Sequence, residues 1–160
     1  MNISIRGETF LVSRQDFSLI SNMTWRLKRK KHYIYALKSV KATIPMHRII
    51  MELKLNRKLT RQESVDHING NTLDNRRSNL RLASNKENAR NSRKSAKNTT
   101  GYKGVYKVFG SEEKPWKAAI YVNGKSVHLG CFANLTQAAK AYDQAAILYF
   151  GKFAKLNFEE

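Results

Sequence analysis

Apolar positions fall in short clusters along the chain, never in a long run. Thr9-Phe10-Leu11-Val12 and Tyr33-Ile34-Tyr35-Ala36-Leu37 are brief stretches rich in β-branched and aromatic residues, and they predict a small strand-rich region within residues 3–44. Between them, residues 16–23 predict a helical turn leading to Trp25, a core position, and Lys28-Arg29-Lys30-Lys31 reads as a solvated loop. Over residues 46–55, Ile49, Ile50 and Leu53 lie on one helical face. A short strand through Val65, His67 and Ile68 then runs into Asn69-Gly70, a dipeptide that supplies positive φ in a turn. A polar loop continues to Asn79, and Leu80-Arg81-Leu82 forms a second strand. Ser84-Asn85-Lys86-Glu87 is a capping box, so a helix starts at Asn85. After a polar stretch at residues 92–100, strands are predicted from Gly101, over 116–122 and over 125–132. Asn123-Gly124 turns the last two into a hairpin. In the middle strand Ala118, Ile120 and Val122 share one face, and Lys117, Ala119 and Tyr121 the other. Asn134 caps a helix in which Leu135, Ala138, Tyr142, Ala145 and Tyr149 recur at helical spacing, and Gly151 ends it.

Charge narrows this picture. The 160 residues carry 30 Lys+Arg against 12 Asp+Glu, a net of +18, which favours a polyanionic partner. The excess is uneven: residues 1–98 have a net +15 and residues 99–160 a net +3. No apolar run reaches the roughly 18–20 residues of a membrane span, and the N-terminus has no signal-peptide core, so a cytoplasmic protein without a membrane partner is expected. Cys131 is the single cysteine, which excludes an internal disulfide and cysteine-based zinc fingers; it reads as a small hydrophobe.

Residues 64–91 gather the chemistry. Metal-assisted phosphodiester cleavage requires hard oxygen ligands, a base that takes a proton from water, and groups that stabilise the developing charge. Asp66 offers a carboxylate, Asn88 an amide oxygen, and His67 an imidazole that titrates near neutrality. Neighbours on a regular strand point to opposite faces, so Asp66 and His67 share a site only if the coming turn distorts the strand. Asp66-His67-Ile68-Asn69-Gly70, Asn79-Leu80-Arg81 and Asn88 together resemble the HNH endonuclease motif in its phage and homing-endonuclease form. That resemblance implies His67 as the general base, Asp66 and Asn88 as metal ligands, and Asn79 as the residue that braces the loop and helps orient the histidine. It implies one divalent ion, Mg²⁺ or Mn²⁺. Met46-His47-Arg48 is similar to the helix start that precedes the motif in such proteins, and His47 reads as structural rather than a ligand. Arg76 and Arg77 either contact phosphate or face solvent, while Arg90, Arg93 or Lys94, and Lys97 form a basic stripe that could follow DNA.

Gly104-Val105-Tyr106, Leu129-Gly130-Cys131-Phe132, the segment Ala138 to Ala146 and Leu156-Asn157-Phe158 resemble an Apetala-two/ethylene-response-factor DNA-binding domain. The resemblance implies a three-stranded sheet laid in the DNA major groove, with Lys103, Tyr106, Tyr121, Ser126 and His128 facing outward. Few of the arginines and tryptophans of that family stand at those positions, so base reading should be weaker or different. The expected architecture is α+β: an HNH ββα-metal domain over residues 1–95 (motif core 46–92), a linker at 96–100, and a sheet packed on one helix over 101–160. The expected function is a metal-dependent endonuclease acting on double-stranded DNA without a protein partner, in the host cytoplasm if phage-encoded. The competing reading is a non-catalytic, sequence-specific DNA-binding regulator.

Overall fold

The computed structural model describes residues 1–30, 33–38, 43–91 and 98–158, and for Lys30 and Tyr33 the backbone alone. These residues are mixed α and β, and four small antiparallel sheets are formed among them. The chain divides into two compact units, Met1–Asn88 and Ala89–Glu160.

In the first unit, β1 (Asn2–Ile5) and β2 (Glu8–Leu11) form a hairpin closed by Arg6 and Gly7, both at positive φ. The helix α1 (Arg14–Ser21) follows, then β3 (Trp25–Lys30), β4 (Tyr33–Lys38) and the short β5 (Ile44–Pro45) in one sheet of order β3-β4-β5. Lys28 to Lys30 therefore lie in a strand and not in a loop. Trp25 and Leu27 alternate with the cations and carry the inward face, and Trp25 Nε1 donates to the Ile20 carbonyl at 2.8 Å. The helix α2 (Met46–Leu55) spans the residues that its periodicity predicts. The pair β6 (Ser64–His67) and β7 (Leu80–Ala83) encloses the polar loop, which ends in a single 3-10 turn, Arg77–Asn79. The six-residue helix α3 (Asn85–Arg90) starts where the capping box predicts: Ser84 N donates to Glu87 Oε2 at 2.7 Å, and Glu87 N to Ser84 Oγ at 3.3 Å.

One apolar cluster holds this unit together, with Ile3, Ile5, Phe10, Val12, Ile20, Met46, Ile50, Met51 and Leu80 at its centre. Each fully buried side chain such as Phe10 or Ile50 contributes roughly 1.5–3 kcal/mol, so the hydrophobic half of the hairpin, α1 and α2 is the platform on which the polar loop rests.

In the second unit, β8 (Val105–Lys107), β9 (Trp116–Val122) and β10 (Lys125–Phe132) form a sheet of order β10-β9-β8, and α4 (Leu135–Phe150) follows. The first strand starts at Val105 and not at Gly101, because Gly101 and Gly104 hold φ of 82° and 74°, outside extended geometry. Gly104 is irreplaceable on a second count: a Cβ there would overlap the Tyr142 ring. Asn123 and Gly124, at φ of 49° and 84°, make the predicted hairpin turn. Asn134 caps α4 through its side chain, accepting from Thr136 N and Gln137 N. Ile120, Tyr142, Ala145 and Ala146 pack together, leaving Lys117, Tyr121, Ser126 and His128 exposed. Cys131 is exposed as well, so it is not a buried hydrophobe. It pairs across the sheet with Lys117, on the outward face.

Candidate active site

The loop between β6 and β7 contains four asparagines, Asn69, Asn71, Asn75 and Asn79, and each does a different job. Asn69 Oδ1 accepts from Asn71 N at 2.8 Å and Asn71 Oδ1 from Leu73 N at 3.1 Å, two side chain–to–backbone turns in succession. Asn79, buried, donates to the Asp74 carbonyl at 2.7 Å and accepts from Asn69 N at 3.0 Å, which closes the loop on itself. The loop is also tied from outside. Leu11 N donates to the Leu73 carbonyl and Asn75 N to the Leu11 carbonyl, both at 2.8 Å. Thr72 Oγ1 donates to the Ile34 carbonyl at 2.8 Å, and Lys54 Nζ donates to the carbonyls of Arg77 and Leu80 at 2.8 and 3.1 Å. The first 55 residues thus set the loop's shape.

His67 is 5% exposed, with Nε2 lying 3.2 Å from Asn75 Oδ1. The amide nitrogen of Asn75 is directed at the carbonyls of Thr72 and Leu73, at 3.3 Å each, so its oxygen is the atom that faces the histidine. A carbonyl oxygen only accepts, and the proton therefore sits on Nε2 and leaves Nδ1 as the basic nitrogen. Burial lowers the His67 pKa, against the opposing pull of the Asn75 bond and of Asp66 and Asp74. The ring is neutral at pH 7. The His67 ring also meets His47 edge to face, ring centroids 5.1 Å apart and planes at 78°, and His47 in turn meets Tyr35 at 5.7 Å. Removal from water, with His67 and Arg48 nearby, holds His47 down to about 3, so it too is neutral.

The register Asp66↔Arg81 and His67↔Leu80 stays regular to the end of β6. The distortion that would bring Asp66 and His67 to one face is absent within the strand. Asp66, 8% exposed, turns to Arg81, whose Nε and terminal nitrogen donate to Oδ2 at 2.8 and 2.6 Å. Asn85, the first residue of α3, accepts through Oδ1 from Ser64 Oγ at 3.0 Å, so the helix bearing Asn88 is fastened to β6 two residues before Asp66. Asn88 is half-buried.

The expected DNA contacts are distributed unequally. Arg77 is clamped on buried Asp16, its Nε 2.9 Å from Oδ2 and a terminal nitrogen 2.6 Å from Oδ1. Arg76 pairs with Asp74 at 2.7 Å and is half-exposed, and that bond holds the Asp74 carboxyl below its ordinary pKa. Both hold the loop's structure. In the second unit the Arg90 guanidinium lies 5.0 Å from the centre of the Phe150 ring, and its carbonyl accepts from Lys103 Nζ at 2.8 Å. Burial and nearby Lys155 bring Lys103 down to about 8, and this side chain is turned onto a backbone carbonyl. Arg93 and Lys94 lie outside the described residues. Tyr106, Tyr121 and His128 are exposed on the outer face of the β8-β9-β10 sheet, Tyr121 to 68%. Asn75 is the functional candidate that the sequence did not single out.

Residues 45–90 match the family model of HNH endonucleases. An uncharacterized HNH endonuclease of Acanthamoeba polyphaga mimivirus is 31% identical over 153 residues, covering 95% of this chain and 76% of its own length. Protein 3.8 of Escherichia phage T7 is 39% identical over 93 residues, 58% of this chain and 74% of that protein.

Proposed function

The chain belongs to the HNH endonuclease family, and from that premise we propose that it is a metal-dependent endonuclease of double-stranded DNA in which His67 is the general base. One observation carries this reading: within the matched segment, a buried histidine has Nε2 3.2 Å from the Asn75 amide oxygen, a contact that favours the tautomer with a basic Nδ1, and burial favours its neutral form. A base poised to take a proton from water at pH 7 must be unprotonated, oriented and sheltered, and His67 meets each condition. Asn79 shapes the loop, while Asn75 supplies the orienting bond.

Asp66 and Asn88 would hold the divalent ion, which requires the end of β6 to twist when metal and DNA bind, because Asp66 and His67 leave the regular strand on opposite faces. The donor chemistry suits Mg²⁺ or Mn²⁺: a carboxylate and an amide oxygen are hard ligands, and the buried carboxylate already attracts a cation, the Arg81 guanidinium. An ion held by these two side chains would complete its shell with phosphate oxygens and water. When bound, the ion would supply charge stabilisation to the phosphoryl group. Arg81 keeps Asp66 in place meanwhile, and α3, fastened through Ser64, sets where Asn88 stands.

The second unit is read as an Apetala-two-like DNA-binding domain, with the division of labour at residues 1–95 and 101–160. What supports it is the outward face of its sheet. Tyr106 stands across from Lys117 and Tyr121 across from Ser126, all exposed and none needed for the core. Aromatic and hydroxyl groups with few arginines favour positioning on the duplex over strong base discrimination.

Incubation of supercoiled plasmid with the protein in Mg²⁺, Mn²⁺ or EDTA tests the reading. Nicked or linear product is expected with metal, none with EDTA, and His67→Ala should abolish cleavage while duplex binding persists. DNA binding without cleavage in any divalent ion would favour the regulator. Retention of more than about a tenth of wild-type turnover in His67→Ala would remove the histidine from its role.

A further inference from the structure

The basic excess of the first unit must meet DNA somewhere, and most of the cations around the β6–β7 loop are already engaged. Arg48 and Lys58 pair with Glu52, Arg57 with Glu63, Arg76 with Asp74, Arg77 with Asp16 and Arg81 with Asp66, while Lys54 is bonded to carbonyls. On β3 the pattern splits. Arg29 pairs with Glu8, but Arg26 and Lys28 are exposed and, among the described residues, have no carboxylate partner; a terminal nitrogen of Arg26 donates to Thr43 Oγ1 at 2.7 Å.

Register locates these two side chains. Lys28 stands directly opposite Tyr35, and Arg26 opposite Leu37, so the four share one face of the β3-β4 sheet. The Tyr35 ring is the one that abuts His47, which abuts His67. The cationic edge is therefore continuous with the ring stack that ends at the candidate base. Positions two apart on a strand are spaced by about 6.6–6.8 Å on one side, which lets the two cations meet successive points of an extended polyanion.

We propose that the β3-β4 face carrying Arg26 and Lys28 is a phosphate-binding track that seats the backbone of duplex DNA beside His67. The proposal rests on the nuclease reading for its position, though not for its readout. Such contacts fix register without selecting sequence, since every phosphate is alike. Because, among the described residues, neither side chain is paired with a carboxylate, engagement with phosphate breaks no ion pair there.

The test uses the full chain, a mixed-sequence DNA duplex and EDTA, so that no cleavage intervenes, with anisotropy titrations at several salt concentrations. The double variant R26Q/K28Q should flatten the slope of log affinity against log salt by about 1.8, roughly 0.9 for each phosphate no longer neutralised. A control that removes the same charge from exposed positions elsewhere, R6Q/R61Q, should change it by less than half as much. The charge-preserving R26K/K28R should return the wild-type slope, which a variant that had merely misfolded the hairpin would not predict. With plasmid and metal, R26Q/K28Q should raise KM at least fivefold and leave kcat within twofold. Equal slopes in the test and control doubles, or an unchanged slope in R26Q/K28Q, overturns the track. If the wild-type protein cleaves nothing, the nuclease reading falls, and the titrations still decide this proposal.

Discussion

Asn75 presents its amide oxygen to His67 Nε2 at 3.2 Å, and that contact favours a proton on Nε2. Its amide nitrogen is held by two loop carbonyls, so its oxygen can only accept, and His67 must donate through Nε2. Asn75→Ala should lower kcat by about 10–100-fold, the usual cost of losing an orienting partner, with duplex affinity unchanged; single-turnover cleavage beside a binding titration reads both. An equal loss of affinity would assign Asn75 to shape and not to chemistry. His47 yields a different observable. Its folded-state pKa, about 3, lies below the ordinary 6.5, so the unfolded chain binds the proton more readily. Its contribution to stability is therefore complete above pH 6.5 and is lost as pH falls from there toward 3. His67, Arg48 and Tyr35 face it, and the first two oppose a charge on it as the unfolded chain does not. Denaturant midpoints at pH 7 and pH 5 should fall by less in His47→Gln than in wild type. The structural place of His47 is expected from the sequence, while that of Asn75 is not. Asn75 is one of four asparagines within eleven residues, and only the tertiary fold shows which amide reaches the histidine.

At the scale of elements, local rules predict what local forces decide. The capping box places α3, Asn123-Gly124 places the second-unit hairpin, and helical spacing places α2. What the sequence conceals depends on distant partners. The charges of Lys28 and Lys30 hide an alternation with Trp25 and Leu27, which becomes visible only once a core exists on one side. Arg76 and Arg77 look equally available to phosphate, yet the partner of Arg77 is Asp16, 61 positions away. The motifs that carry the resemblance in the second unit prove architectural in part: Gly104 clears the Tyr142 ring, and Asp143 accepts from Asn157 N and Phe158 N at 2.8 and 3.0 Å to clip the chain end onto α4. The start of α3 is held by the capping box and by the Ser64–Asn85 bond. Ser84→Ala removes one side of the capping box and should cost about 1 kcal/mol. It should also raise the Mg²⁺ needed for half-maximal cleavage, because the first turn that carries Asn88 frays; a metal titration beside urea unfolding checks both. An unchanged metal requirement would separate Asn88 from the ion.

For the whole molecule, the charge excess and the exposed aromatic sheet face lie in different parts of the chain. Residues 1–98 hold a net +15 and the HNH-matched segment, and residues 99–160 a net +3 and the exposed aromatic sheet face. Deletion of residues 99–160 should leave cleavage that is still strongly salt-dependent, with weaker binding or altered site choice, as measured by plasmid cleavage and titrations at graded salt. If the C-terminal portion alone matched the affinity and salt slope of the full chain, the assignment would be reversed. The inward turning of the acids has a kinetic sequel. None of the seven carboxylates of residues 1–98 is exposed, and six of them are bound to cations. A surface on which most acids of residues 1–98 are paired with cations offers little local repulsion as it shifts from one phosphate to the next. A protein held to DNA through such contacts would slide and hop along a duplex, and its search for a target would then be a one-dimensional walk, shortened by every stretch of flanking DNA on which it can land.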